Sequence, residues 1–415
     1  MKEYDWAIIG GGITGIVLSE ILTREGYSVV LIEKNEKLAG ATTRDFHEWI
    51  HTGSLYTLIP DNLRTLKFIL GAIDDLLEYY SCYQNMNLIP TMAGLKIDGQ
   101  TKGWFQENYI HFKYRLFNRK FTVPWLIGIA RSVILIEKIK NHDWLRRRAG
   151  ELEPFKRARL KKIVKLFFSL ICHKEKFYTI QTPDFTCDSR ALLRDMITTS
   201  LENRLDISLG NKINFIENHG TKKLIKGFKE NFIAEKVAVC AGSDIQDFTE
   251  VKSSTSYAPI AVVSGLNAHS KSFVELDYYP KNCINLVTKK NGFGLAGGIS
   301  FKQKEKCDTY LDYVVNQHKK YEPTLKEETR YIGVKTEITF KNEPRSYIYH
   351  IVQTDQNVWS IIPGKFTLGF SLAPEFFRKI YNKNPRKTYK TFVAKEENNN
   401  LIANTVWLDS LNRII

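Results

Sequence analysis

The sequence is poor in features that would mark several protein classes. Its six cysteines (Cys82, Cys172, Cys187, Cys240, Cys283 and Cys307) form no C-x-x-C pair and no cluster with histidine. A disulfide framework and a metal site are therefore not expected, and a reducing cytoplasm is the simpler setting. No internal repeat or low-complexity tract is present, which argues against solenoids and disordered chains. The most apolar run, Val123 to Ile136, is broken by Arg131 and is shorter than the ~20 residues a membrane-crossing helix needs. A predicted strand begins within a few residues of Met1 and leaves no room there for a signal peptide, so a cytoplasmic location is the expectation.

What the chain does have is one organising stretch near its start. Trp6 to Ile9 form a short apolar β-run, and Gly10, Gly12 and Gly15 follow it as G-x-G-x-x-G. Ile16, Leu18, Ile21 and Leu22 continue at helical spacing, Gly26 breaks the helix, and Val29 to Ile32 make a second strand ending in Glu33. Gly10 permits the tight turn, Gly12 lets a pyrophosphate approach the backbone, and Gly15 brings the helix close to the strand. The helix N-terminus at Ile13 and Thr14 offers unpaired N–H groups and a partial positive charge to phosphates. Glu33, 18 residues beyond Gly15 and followed by Lys34, is placed to accept ribose hydroxyls. Strand, glycines, helix and terminal acid in register predict a dinucleotide site. The small, hydroxylic run Gly40-Ala41-Thr42-Thr43 suits a second approach to the pyrophosphate.

The rest of the chain supplies further segments in order. Ile50-His51-Thr52-Gly53-Ser54-Leu55-Tyr56 comes first, and later Lys236-Val-Ala-Val-Cys-Ala241-Gly242-Ser243 is an apolar strand ending in Ala-Gly. Tyr331-Ile-Gly333-Val334-Lys335 is followed by Glu343-Pro344-Arg345-Ser346-Tyr347, then by Pro363-Gly364-Lys365-Phe366-Thr367-Leu368. With the nucleotide fingerprint, this series resembles the FAD-dependent oxidoreductases of the D-amino-acid oxidase superfamily. Its motifs are most similar to those of glycerol-3-phosphate and L-2-hydroxyglutarate dehydrogenases, whose Ile-His-x-Gly-x-x-Tyr segment matches around His51 and Tyr56. The resemblance covers about two-thirds of the chain.

The resemblance implies FAD held between the two ends of the chain, with Ile213 meeting the adenine and Ala241 and Gly242 beside the phosphates. The Gly364-Lys365-Phe366-Thr367 turn and Leu368 would face the flavin ring, where a turn before a helix can aim N–H groups at a developing negative charge. His51 is the candidate base, with Tyr56 beside it; His47 has no such match and reads as structural. Arg345 can grip a carboxylate or phosphate bidentately. Two departures stand out. Lys335 replaces the family's arginine, which turns a planar clamp into a point charge, and Pro363 replaces the first glycine of the flavin-facing turn. No cysteine lies in that C-terminal segment, so non-covalent FAD is expected.

Net charge is +15, and its placement matters more than its size. Residues 101–176 hold 19 Lys/Arg against 6 Asp/Glu. Aromatic residues interleave with the basic ones up to Lys120, and a helix opened by Pro154 is expected to carry Leu160, Ile163, Val164, Phe167, Leu170 and Ile171 on one face. Three readings are open: a helix packed on the body with its charges solvated, attachment to an anionic membrane surface, and contact with nucleic acid.

The expected fold is α/β: an FAD-binding, Rossmann-like domain of glutathione-reductase type over 1–85, 177–255 and 345–415, and a mainly antiparallel sheet-plus-helix substrate domain over 86–176 and 256–344. The expected function is oxidation of the CH–OH group of a small anionic substrate such as a 2-hydroxy acid or a glycerol-phosphate-like molecule. Oxidation of an amino acid or secondary amine stays open, as does a flavoenzyme acting on a nucleic-acid- or lipid-linked substrate. No electron acceptor is named by the sequence.

Overall fold

The computed structural model describes residues 1–83, 88–91, 94–97, 106–114, 116, 119–142, 157–173, 177–187, 189–338, 348–393 and 396–414. The fingerprint folds as a strand, helix and strand: β1 (Glu3–Ile9), α1 (Ile13–Arg24) and β2 (Val29–Ile32). β1 is central and buried on both faces, as an apolar strand of a parallel sheet must be. Its sheet runs in the order His350–Asp355, Val358–Ile362, Asn231–Val239, β1, β2, Leu205–Ser208. All these neighbours pair in parallel except the antiparallel edge strand His350–Asp355. A meander of antiparallel strands Ile213–His219 and Lys222–Gly227 leads into Asn231–Val239.

Alternation along β1 divides the core. Trp6 and Ile8 face a large cluster with α1 and the helices Arg64–Tyr80, Ser189–Leu201 and Phe366–Tyr381. Ala7 and Ile9 face a smaller one under the meander, with Ile225, Val237 and Val239. The last of those helices lies against both α1 and Arg64–Tyr80, so the C-terminal part of the chain completes the domain that its first residues begin.

A second sheet carries eight strands in the order Lys326–Ile338, Ser253–Ser264, Gly294–Gly298, Ile284–Thr288, Ser272–Leu276, Gln106–Lys113, Phe177–Thr186, Trp49–Ile50. Every pairing is antiparallel except that of Ser272–Leu276 with Gln106–Lys113. The helix Cys307–Tyr321 packs on this sheet through Tyr310, Leu311, Val314 and Val315. The architecture is thus a nucleotide-binding α/β domain joined to a mainly antiparallel sheet-plus-helix domain.

Leu88–Thr91 and Gly94–Ile97 pair antiparallel with each other. Phe177–Thr186, placed by the sequence in the nucleotide domain, is bonded into the second sheet; its pairing with Gln106–Lys113 overrides its position in the chain. The basic segment contributes that strand and two helices, Arg119–Lys140 and Leu160–Cys172. At the start of the helix Arg64–Tyr80 the Asp61 carboxylate accepts the Thr65 N–H at 2.8 Å. The polar stretch after Tyr381 is tied to the body of the domain by hydrogen bonds. The Arg386 carbonyl accepts Arg24, the Arg386 N–H donates to Glu25, and the Phe392 N–H donates to Thr199.

Candidate active site

One cavity of about 530 Å³ runs from the glycine loop to the start of the helix Phe366–Tyr381. Its wall contains Gly10, Gly12, Ile13, Thr14, Glu33, Lys34, Thr42, Thr43, His51, Tyr56, Ile213, Ala241, Gly242, Lys335, Gly364, Lys365 and Phe366. Three described residues assigned to the site from the sequence are not in that wall. Gly15 sits behind the loop: a Cβ there would lie 2.0 Å from the Gly10 carbonyl oxygen, so only glycine lets helix and strand approach this closely. Thr367 is wholly buried and acts through hydrogen bonds. Leu368, expected against the flavin, packs its side chain into a core with Tyr56, Ile69 and Ala72 on the inward face of its helix. Arg345 lies outside the described residues.

At the dinucleotide end the loop is rigid. Gly10 has φ +108°, and a Cβ there would meet the Cys240 carbonyl oxygen at 2.5 Å. The Glu33 carboxylate accepts the Gly11 N–H at 2.7 Å through one oxygen. Its other oxygen accepts the Asn35 N–H at 2.9 Å and side-chain amide at 2.6 Å. The Thr43 hydroxyl accepts the Ile13 N–H at 3.0 Å at the mouth of α1. Arg190, itself buried, donates to the carbonyls of Thr43 and Ala403 and so fixes the short helix Thr42–Asp45. Lys34 pairs with Asp244 on the 3₁₀ turn after the second glycine signature, Ala241-Gly242.

At the other end, the strand Trp49–Ile50 carries His51 into the wall. The His51 ring stacks on Trp49 at 5.2 Å and 18° and meets the Tyr56 ring edge-on at 5.6 Å. The Lys365 ammonium lies 4.9 Å from the Tyr56 ring centre. Gly364, at φ +68°, turns the chain beneath the Ile348 carbonyl. Thr367 then pins the two ends of the polypeptide together: its hydroxyl accepts the His51 N–H at 2.9 Å and donates to the Trp49 carbonyl at 3.2 Å. Thr52 is anchored next door by buried Asp184, whose carboxyl is pushed up by burial against the pull of its hydrogen bonds. Lys335 lines the cavity but forms an ion pair with buried Glu337 at 2.7 Å, so much of its charge is already answered.

Other residues at the site escape the sequence reading. Glu48, buried at φ +58°, accepts Lys289 at 2.6 Å, the Ser189 hydroxyl at 2.6 Å and the Trp407 indole at 3.0 Å. Burial opposes its charge, but Lys289 and Arg190 outweigh that and hold the carboxyl below its ordinary range. His47, read as structural, lines the cavity, and burial with the nearby Lys289 charge lowers its pKa to about 4. His47 Nε2, Asn285 Oδ1 and Thr336 Oγ1 are buried in this wall with no hydrogen-bond partner among the described residues. Buried polar atoms without protein partners mark where a ligand's own polar groups fit. Asn285 sits on a strand recognisable only by apolar pattern, and Thr336 follows directly on the Tyr331–Lys335 segment without being part of its match. The cavity wall also holds Cys240 and Cys283. Burial pushes both thiols up, that of Cys283 to about 11, which keeps them protonated and poorly nucleophilic.

The residues fit FAD. The volume lies inside the roughly 300–1,000 Å³ of ligand sites, Gly12 leaves open space where a Cβ would meet only the Thr43 hydroxyl at 3.4 Å, and a carboxylate and two helix N-termini flank the groove. The family profile described as "FAD dependent oxidoreductase" (DAO) matches residues 5–282. The L-α-glycerophosphate oxidase of Mycoplasma pneumoniae, solved with FAD bound, superposes with a TM-score of 0.61 at 14% identity, over 98% of this chain and 100% of that one. The L-amino acid deaminase of Proteus myxofaciens gives 0.63 at 13% identity, over 94% and 92%. These likenesses are of fold. A 72-residue stretch is 33% identical to the UDP-galactopyranose mutase of Mycoplasma pneumoniae, covering 16% of this chain and 18% of that protein's length.

Proposed function

Because the chain belongs to the DAO family of FAD-dependent oxidoreductases, we propose that it oxidises the CH–OH group of a small anionic substrate, a 2-hydroxy acid or a glycerol-phosphate-like molecule. One observation carries this: a single cavity joins the glycine loop and Glu33 to a histidine, a tyrosine and a lysine at its far end. Gly10, Gly12, Glu33, Thr42, Thr43, Ala241 and Gly242 would hold the dinucleotide, and Gly364 to Phe366 the ring, without a covalent bond. FAD, when bound, supplies the acceptor for the hydride that leaves the substrate carbon.

His51 is the base for the substrate hydroxyl proton, its ring held by Trp49 and Tyr56 and its backbone by Thr367. Lys365, over the Tyr56 ring, supplies positive charge where negative charge develops. Lys335 contributes a weaker pull on the substrate anion, since Glu337 shares its charge; Arg345 is the proposed second grip. His47, Asn285 and Thr336 offer hydrogen bonds to the remaining polar groups of the substrate.

The test is anaerobic mixing of the yellow protein with 2-hydroxy acids, glycerol 3-phosphate and amino acids, followed by loss of the oxidised flavin absorbance. Reduction by a hydroxylated anion is expected, and His51→Ala should slow it by about 10²–10⁴-fold. Reduction by amino acids alone would move the assignment to C–N oxidation, and full-rate reduction in His51→Ala would remove the base.

A further inference from the structure

The helix Leu160–Cys172 is apolar over more of its circumference than the protein covers. Ile163, Leu166, Phe167 and Leu170 pack into a core with the helix Arg119–Lys140. Leu160, Val164 and Ile171, expected on that same face, instead project outward together with Phe168, with Leu160 75% and Phe168 59% exposed. Spaced i, i+4, i+8 and i+11, they form one stripe along the outside of the helix. The helix beneath adds exposed Val123 and Ile127. Scattered exposed apolar residues are ordinary, but a continuous stripe of this kind marks an interaction surface.

Charge decides what fits it. Residues 157–173 carry Arg157, Arg159, Lys161, Lys162 and Lys165 and no acid. All five are exposed. Lys161 and Lys165 flank the stripe, where long side chains can lie along apolar surface and lift their charges outward. Lys138, on the helix beneath, has its pKa lowered first by burial and then by Lys162 and Arg159, which shows these cations gathered around one another.

We propose that the helix Leu160–Cys172 docks this protein on an anionic lipid surface, burying Leu160, Val164, Phe168 and Ile171 among the acyl chains while its lysines meet the headgroups. A bilayer with acidic lipids answers both the apolar stripe and the unopposed positive charge. A second copy would set one cationic face against another, on chains that each carry +15. Nucleic acid would answer the charge but leave three aliphatic side chains beside a single exposed ring. No helix of the described residues is long and apolar enough to cross a membrane, so the contact is peripheral. The helix Arg119–Lys140, on which the docking helix packs, also lies against the 3₁₀ turn Ser54–Leu58, where the Thr57 and Ser132 hydroxyls bond and where cavity-lining Tyr56 sits.

The experiment is flotation of the FAD-loaded full chain with vesicles of phosphatidylcholine, with and without phosphatidylglycerol, at low and high salt. Flotation with the phosphatidylglycerol vesicles only, weakened by salt, is expected. The triple variant Lys161→Gln, Lys162→Gln, Lys165→Gln should lower the partition coefficient on the order of a hundredfold. Leu160→Ser with Phe168→Ser should abolish what binding survives in salt. Both variants should keep the parent's flavin spectrum and circular dichroism, since all five side chains are exposed. The proposal is overturned if the parent stays in the soluble fraction with every vesicle, if pure phosphatidylcholine binds it equally, or if either variant floats like the parent. It is also overturned if light scattering shows a dimer that Phe168→Ser splits, or if an RNA oligonucleotide, not the vesicles, is the ligand the lysine variant loses.

Discussion

Replacing Glu33 with Gln changes one atom at the edge of the glycine loop, and its cost can be worked from the bonds already described. The carboxylate faces three donors: Gly11 N–H on one oxygen, and the Asn35 N–H and side-chain amide on the other. Glutamine keeps only one oxygen. Turned toward Gly11, its NH₂ opposes the Asn35 donors; turned toward Asn35, it opposes the Gly11 N–H. Either pose loses a bond to a charged group and sets donor against donor in a buried place, about 2–4 kcal/mol in all. The empty loop can relax to relieve this, whereas a bound dinucleotide requires the original shape. The penalty therefore falls on cofactor affinity, and the FAD dissociation constant should rise roughly 30- to 700-fold. Titrating apoprotein with FAD and following flavin fluorescence measures it directly. Glu33→Asp should fall between the two, keeping charge but not reach. A Glu33→Gln protein that binds FAD within about threefold of the parent would refute the assigned role of this carboxylate.

Four further outcomes are expected. Thr367→Val keeps the volume but strands the buried His51 N–H, so it should cost about 1–3 kcal/mol in thermal or denaturant stability, and Thr367→Ser should restore most of it. Breaking the buried Lys289–Glu48 pair from one side, by Glu48→Gln or Lys289→Met, should cost about 3–5 kcal/mol, and the double variant should cost less than the sum, read as a coupling energy from melting curves. His47 titrates near pH 4 when folded and near 6.5 when unfolded, so its contribution is complete above pH 6.5 and is lost as pH falls toward 4. His47→Gln should flatten the melting-temperature profile across that window. Gly15→Ala, whose new Cβ would lie 2.0 Å from a backbone oxygen, should yield protein that purifies without flavin.

Much of the fold could be read in advance because its signals are local. The glycine spacing, the apolar runs on either side and Glu33 all lie within one short stretch, and each has a geometric reason for its position. The end of the chain was legible for a different reason: Gly364, Lys365 and Thr367 form a turn whose residue types carry the chemistry. What escaped depended on pairing between distant segments. Phe177–Thr186 looks like a strand from its composition, but its sheet is decided by Gln106–Lys113, far away in sequence. Glu48 and Arg190 are charged residues in unremarkable contexts, and only the fold shows Lys289 and Trp407 converging on one and three carbonyls on the other. The helix Leu160–Cys172 has an apolar pattern wider than one face, and periodicity could not say which part of the arc would be covered.

The strand order has a bearing on biosynthesis. One flank of β1 is met by β2 soon after both leave the ribosome, but its other neighbour, Asn231–Val239, emerges only past the middle of the chain, and Trp407 and the Thr367 hydroxyl come later still. A nascent chain therefore exposes an open apolar strand edge until Asn231–Val239 has emerged, and it closes its binding groove only once Thr367 and Trp407 have followed. Supplying riboflavin during expression, and slowing elongation between the codons for Asn231 and Trp407, should raise the yield of coloured protein more than riboflavin added after translation has finished.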